Sequence, residues 1–346
     1  MTSLLVTIIN ASERAAQIAR SCCEGEPDET KLLVTEKGSD GNSRFDSDFK
    51  TLADVLAQEA ARHEIKKSFP GLSEHVRGEE RAEIDGVTIS IKEDCNETKK
   101  MLSAVVPEAA AERMAKAAHA EPCSRLTATL PGDLPDIDPD DLGIWIDPID
   151  GTAEFIAGVS GKAEEGHGLL HVTVLIGAYS RTTGEPVLGV INQPFYNNGK
   201  GQVLWGLCFE DKTFHGTSED FTEPEQKNTV LMSSAEKPEI KAMFEKNHWV
   251  VKTPPGAGFK LLSVALGEAS LYTMSLGTTY RWDTCGPHAI LKAKGGDIVS
   301  HTSSLPLTYN DPPNEDPQSF CNSEGITAFC HREVFELANN FLATGS

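Results

Sequence analysis

Apolar residues return every three or four positions along residues 3–23, and again along 51–66 (TLADVLAQEAARHEIK). That spacing places one apolar stripe on a 3.6-residue turn and predicts two amphipathic helices. Ser68-Phe69-Pro70-Gly71 closes the second, because proline cannot continue a helix. A short strand is expected near 75–77 and another over 86–92 (GVTISIK). The Ala/Glu/Lys-rich stretch 97–118 reads as helix interrupted at Pro107. Strands follow at 144–147, at 169–179 and 186–192 on either side of a TTGEP turn, and at 202–209.

Residues 210–228 are polar and mark a loop or a domain boundary. Beyond them strand and helix alternate: strand 229–233, helix 237–247, strand 248–252, helix 258–267, strand 270–275, helix 283–293, strand 297–300. Such alternation is the signature of an α/β half. A Pro/Ser/Asp-rich tail covers 301–328, and a last helix covers 331–342. The chain therefore divides into an α+β half, 1–227, and an α/β half, 228–346. No internal repeat occurs.

The segment GIWIDPIDGTAEFI, 143–156, breaks this pattern. Ile144-Trp145-Ile146 is apolar at consecutive positions, as in a strand buried on both faces. Asp147 follows at once, Pro148 has no N–H with which to extend a ladder, and Asp150-Gly151 turns into a short helix at 153–157. The N–H groups of Gly151 and Thr152 then face an anion at a helix start. Asp147 and Asp150 flank one turn and repel each other unless a divalent cation lies between them. Oxygen donors alone suit magnesium, calcium or manganese. Without a cation, the same residues make a strand, a turn and a solvated acid.

Other acids carry the same two readings. Gly78-Glu79-Glu80 offers one inward and one supporting carboxylate, or an exposed acidic turn. Asp54 is the third helical residue behind Thr51, a capping-box position. Asp283, in RWDTCGPHAIL, has the pattern of an N-cap, with Trp282 beside it in the core. Asp133, Asp136, Asp138, Asp140 and Asp141 lie in the Pro-rich stretch 131–141 and are expected in solvent. In PPGAGFK, 254–260, Lys260 falls in the first turn of a helix, and Lys237 begins another. The helix dipole disfavours a cation there, which points to an anionic ligand.

Composition narrows the field. Thirty-one basic and 52 acidic residues give a net charge of −21 in 346 residues. Nucleic acid and anionic membrane surfaces are thereby excluded as partners. Any anionic ligand needs a cation in between. No apolar run of about 18 residues exists to span a membrane, and the first 20 residues lack the basic start of a signal peptide. Eight cysteines without CxxC spacing read as reduced thiols of a cytoplasmic protein. GxxxxGK[ST] and HExxH are absent, and no arginine lies six positions after a cysteine. The acids of DPID are three apart, not two as in DxDxT, which argues against a covalent aspartyl-phosphate.

Three motifs stand in order: Gly78-Glu79-Glu80, DPIDGT at 147–152, and Trp282-Asp283 running to Ile290 with a later Gly295-Gly296. Together they resemble the magnesium-dependent, lithium-sensitive phosphomonoesterases of the inositol monophosphatase superfamily. DFKTLADVLAQE, FPGL, LGIWIDPID, GVINQPF and GAGFK resemble its inositol polyphosphate branch, over roughly residues 1–300. The resemblance implies a layered αβαβα sandwich with the site between the halves. It implies two or three Mg2+ ions, inhibition by Li+, and small inositol phosphates as the partners of a cytoplasmic monomer. On that pattern Asp147 bridges two metals. Glu79 and the Ile149 carbonyl complete one site, and Asp150 and Asp283 the second. Asp54 and Glu80 support a third metal or the attacking water, which Thr152 orients. Asp150, Gly151 and Thr152 hold the scissile phosphate, while Lys237, Gly256, Ala257, Lys260 and Thr278 face the ring or its other phosphates. Gly151 stands where vertebrate members of that branch carry Ser, and Ala235 where a small hydroxyl residue is expected. A bisphosphate nucleotidase and a catalytically silent relative are the alternatives.

Overall fold

Five layers stack as helix, sheet, helix, sheet, helix in the computed structural model, which describes residues 3–24, 33–37, 49–123, 130–132, 134–135, 137–219, 228–311 and 316–344. The outermost layer holds helices α1 (Leu4–Ser21), α2 (Leu52–Ser68), α3 (Cys95–Leu102) and α4 (Glu108–His119). A two-stranded ribbon, β1 (Val34–Glu36) with β2 (Phe49–Thr51), leads into α2. The first sheet runs β10-β9-β8-β7-β6-β3. Its strands are β3 (Val76–Gly78), β6 (Leu142–Asp150), β7 (Thr173–Ser180), β8 (Pro186–Gln193), β9 (Gln202–Phe209) and β10 (Lys212–Thr217). All pair antiparallel except β3 with β6. A minor hairpin, β4 (Glu83–Ile84) with β5 (Val87–Thr88), stands apart.

Period-two alternation makes this sheet two-faced. Val174, Ile176 and Ala178 of β7 pack with Ile8, Ala15 and Leu56 of the outer helices. Leu175 points the other way, into a second core with Leu261, Ile290 and Ile298. That second core is the middle helical layer: α8 (Ala257–Ala265) and α9 (Arg281–Ala293). α5 (Thr152–Val159) and the short α6 (Tyr196–Gly199) are connecting turns at the rim of the first sheet.

A five-stranded sheet follows, ordered β12-β11-β13-β15-β14, from β11 (Thr229–Leu231), β12 (Val250–Lys252), β13 (Leu271–Met274), β14 (Asp297–Ser300) and β15 (Ile326–Phe329). Its far face is closed by α7 (Pro238–Lys246) and α10 (Arg332–Thr344), around Phe244, Trp249, Phe329 and Phe335.

One device sets how the layers meet. Gly177, Gly189 and Gly206 are opposite one another on β7, β8 and β9. A methyl group on any of the three would run into the backbone of α9 around Gly286 or Ile290. The row is a trough that lets α9 lie directly on the sheet, with its first turn at one end of β6.

Several expectations need correction. The strand over 86–92 shrinks to Val87–Thr88. Residues 169–171 form a 3-10 turn before β7. The polar stretch after 209 contains β10, whose burial is only partial because it is an edge strand. The tail contains β15, four buried residues inserted antiparallel between β13 and β14, so the second sheet is mixed. Residues 220–227, next to the expected boundary, lie outside the described residues, as do Asp133 and Asp136. Asp138, Asp140 and Asp141 are exposed as expected. All eight cysteines are free thiols.

Candidate metal centre

β6 is buried at all nine positions and brings two acids to one pole of the first sheet. Asp147 pairs with Leu175 and Asp150 with Thr173, with a register shift between them. Pro148 was expected to end the strand. It sits instead in a bulge, where a missing N–H costs no ladder bond, and pairing resumes at Asp150.

Neighbouring elements bring the other acids to the same pole. Beyond β3, the Glu79 N–H still donates to the Ile146 carbonyl at 3.1 Å, one more rung of the ladder. Gln58 of α2 clamps the next residue: the Glu80 N–H donates to its Oε1 at 2.9 Å, and its Nε2 donates to the Glu80 carbonyl. Asp54 completes the predicted capping box, with the Thr51 N–H donating to Oδ2 at 2.7 Å. Its Oδ1 accepts from the Thr152 hydroxyl at 3.1 Å. Helix cap and site thus share one carboxylate. Asp283 is not the N-cap expected from sequence. Tyr280 holds that place, and Asp283 is the third helical residue, reaching back to accept the Tyr280 N–H.

The result is a crowded set of acids. Carboxylate oxygens of Asp147, Asp150 and Asp283 lie within 4.8 Å of one another, and all three residues are buried. Oδ1 of Asp147 has no hydrogen-bond partner. Burial, then the charges of Glu79, Asp150 and Asp283, push the Asp147 carboxyl far above its ordinary range. Burial, then Asp150 and Glu79, do the same to Asp283. Burial raises Glu80 to about 8, and Asp54 and Asp150 each to about 6. Stripping one unpaired carboxylate of water costs several kcal/mol. No stability argument keeps three together, whereas a divalent cation would be held by one oxygen from each. The donor set is all oxygen, so the residues present fit hard divalent metals such as magnesium.

Two protein cations flank the acids. The Lys37 ammonium ion-pairs with Glu79 and lies 2.8 Å from Glu80 Oε1. Sequence reading missed it, because its position depends on the β1–β2 ribbon folding over the pole. Lys260 is buried and donates to the carbonyls of Pro254 at 3.0 Å and Gly256 at 2.6 Å. Burial lowers it to about 8, with Asp150 and Asp283 acting in the opposite sense.

A cavity of about 760 Å³ opens over this pole. Glu79, Glu80, Asp147, Ile149, Asp150, Gly151, Thr152, Gly256, Ala257, Lys260, Thr278 and Asp283 all line it. Asp54 stands one layer behind, touching the site through Thr152. Lys237 is not among the lining residues. It caps α7, its N–H donating to Glu236 Oε1 at 2.7 Å. Ala235 offers no hydroxyl, but Ser233 and Ser234 face the cavity just before it. Gly151 is left-handed at the N-cap of α5, with φ +85°, a conformation glycine adopts without strain. The first-turn N–H groups of α5 have no intrahelical acceptor and end in the cavity wall.

The pattern of the Inositol monophosphatase family matches residues 2–315. The chain is 37% identical over 336 residues to the Mus musculus inositol polyphosphate 1-phosphatase, covering 88% of this chain and 85% of that protein. It is 29% identical over 295 residues to the human 3'(2'),5'-bisphosphate nucleotidase 1, covering 82% and 79%. The fold superimposes on a Thermotoga maritima IMPase with a TM-score of 0.54 at 16% identity, over 98% of this chain and 97% of that one.

Proposed function

Because the chain belongs to the inositol monophosphatase family and is a phosphoric monoester hydrolase, we propose that it removes the 1-phosphate from inositol 1,4-bisphosphate and inositol 1,3,4-trisphosphate. One observation carries the reading. The acid pole and the first turn of α5 open into the same cavity, so metal ligands and phosphate-facing N–H groups converge. The 37% identity to an inositol polyphosphate 1-phosphatase supports that substrate over the nucleotide handled by the 29% relative.

Asp147, Asp150 and Asp283, with Glu79 and the Ile149 carbonyl, would hold two magnesium ions, and Asp54 and Glu80 would support a third or the attacking water. Bound there, they would supply Lewis acidity for activating a water and for the charge of the leaving oxygen. Thr152 orients that water. Its two hydroxyl partners, Asp54 Oδ1 at 3.1 Å and the Ile149 carbonyl at 3.3 Å, are both acceptors. The hydroxyl hydrogen is thus committed to them, and its lone pairs are left to accept from water. Asp54 receives the hydrogen bond and fixes the rotor. Gly151 and Thr152 N–H groups grip the phosphate. Lys260, Gly256, Ala257 and Thr278 border the ring, and Lys237 lies beyond them. The halves 1–227 and 228–346 act as one unit around this cleft. Inhibition by Li+ is expected on the same reading. A cytoplasmic location fits the free thiols, the chain is read as a monomer, and no helix among the described residues is long and apolar enough to cross a membrane.

The test is phosphate release from inositol 1,4-bisphosphate, inositol 1-phosphate, 3′-phosphoadenosine 5′-phosphate and fructose 1,6-bisphosphate, with magnesium and with or without lithium. Preference for the first, lost in lithium, is the expected result. Preference for the nucleotide moves the substrate and keeps the mechanism. No release from any of them, with metal bound, makes the chain a silent relative.

A further inference from the structure

Asp150 differs from the other acids of the pole because one of its oxygens is already occupied. Oδ2 accepts the Gly258 N–H at 2.9 Å and the Thr173 hydroxyl at 3.2 Å. The two donors come from opposite layers. Thr173 is the first residue of β7, fully buried and paired with Asp150 in the sheet. Gly258 is the second residue of α8, in the loop-to-helix segment bordering the cavity.

Both donors are built for this contact. A methyl on Gly258 would collide with Thr173 Oγ1 and press on Asp150 Oδ2 at 3.0 Å, so glycine is what lets the amide approach. Lys260 holds the same segment by donating to the Pro254 and Gly256 carbonyls. Valine is close to threonine in shape and cannot donate to Asp150, so the substitution removes the hydrogen bond.

We infer that Thr173 is a positioning residue for the metal centre, fixing Asp150 together with the Gly258 amide so that Oδ1 is presented to the cation. The inference rests on the metal reading above. With Oδ2 held from both layers, the swing of the carboxylate is restricted, and on this inference Oδ1 is the oxygen offered to the pole. Outer-sphere partners of this kind change metal affinity by about tenfold to a hundredfold. A consequence follows for the fold: the segment that borders the substrate and the strand that carries the ligand meet at one atom, so the centre is complete only when both layers are docked.

The experiment is calorimetric titration of magnesium into the metal-free full chain, for the wild type and for Thr173→Val, Thr173→Ala and Thr173→Ser. Valine and alanine are expected to weaken binding at one site about tenfold or more, and serine to restore it. Circular dichroism reports whether each is folded, and alanine, being smaller than threonine, covers the case in which valine does not fit. A merely structural threonine would lower the melting temperature of the metal-free protein without moving the dissociation constant or showing serine rescue. Wild-type affinity in folded valine and alanine variants would overturn the inference. Failure of the wild type to bind magnesium at all would instead overturn the metal reading beneath it.

Discussion

Two of the places where this molecule buries acids treat them oppositely. Between α1, α2 and α4, Glu64 meets Arg14, with Nε 2.7 Å from Oε2. The same guanidinium donates to the carbonyls of Ala118 at 3.2 Å and Ala120 at 2.7 Å. The charge is matched and the geometry closed. At the end of β6, Asp147, Asp150 and Asp283 face each other, and an oxygen of Asp147 has no partner. The first arrangement holds three helices together. The second works against the fold and makes sense only for a ligand that supplies positive charge. What separates structural from functional acids here is thus not burial but whether the protein itself completes the charge.

The sharpest way to break that comparison is to remove an acid from each place. Asp147→Asn is expected to lower phosphate release by about a thousandfold, roughly 4 kcal/mol of transition-state stabilisation. It should also raise the melting temperature of the metal-free protein, since repulsion is relieved. Steady-state kinetics and calorimetry read the two effects, and a destabilised Asn variant would contradict the account. Arg14→Met should do the reverse. It leaves Glu64 buried and unpaired, at a cost of about 3–5 kcal/mol, with activity per folded molecule unchanged; denaturant titration alongside kinetics tests it.

A milder probe is pH. Glu80 is raised to about 8, and Asp54 and Asp150 to about 6, chiefly by burial. An acid with a raised folded pKa keeps its proton in the folded chain while the unfolded chain has lost it. Its stability contribution is full below the ordinary carboxylate pKa of about 4 and is lost as pH rises through the folded value. The metal-free protein is therefore expected to melt lower at pH 8 than at pH 5.5, and magnesium should flatten the difference. A melting temperature that rises with pH over that range without metal would be decisive against it. The smallest effect belongs to an acid of a third kind, exposed and fully used. Asp94 caps α3, accepting from the N–H groups of Asn96 at 2.7 Å and Glu97 at 3.0 Å. Asp94→Ala should cost about 1 kcal/mol in a thermal melt and leave turnover alone.

What the sequence determined by itself was the part of the fold with a strong short-range pattern. The helical periods of α1 and α2, the apolar run into Asp147 and the capping box at Thr51 are each written within a few residues. The acids of the pole stood in three short motifs, each of which alone read equally well as a turn, a solvated acid or a cap; the family resemblance of the three in order is what joined Glu79, Asp147, Asp150 and Asp283. Tertiary structure decided what depends on contacts between distant segments. It placed β15 inside a sheet, where four residues are too few for a periodic signal. It started α9 after Tyr280, which makes Asp283 the third helical residue rather than the cap, and it seated the helix on a row of three glycines on β7, β8 and β9. It brought Lys37 to the acids, left Lys237 outside the cavity, and joined Thr173 to Gly258 through Asp150. The strand insertion, the glycine row, Lys37 and the Thr173–Asp150–Gly258 junction all rest on approaches between distant segments, which no local periodicity encodes.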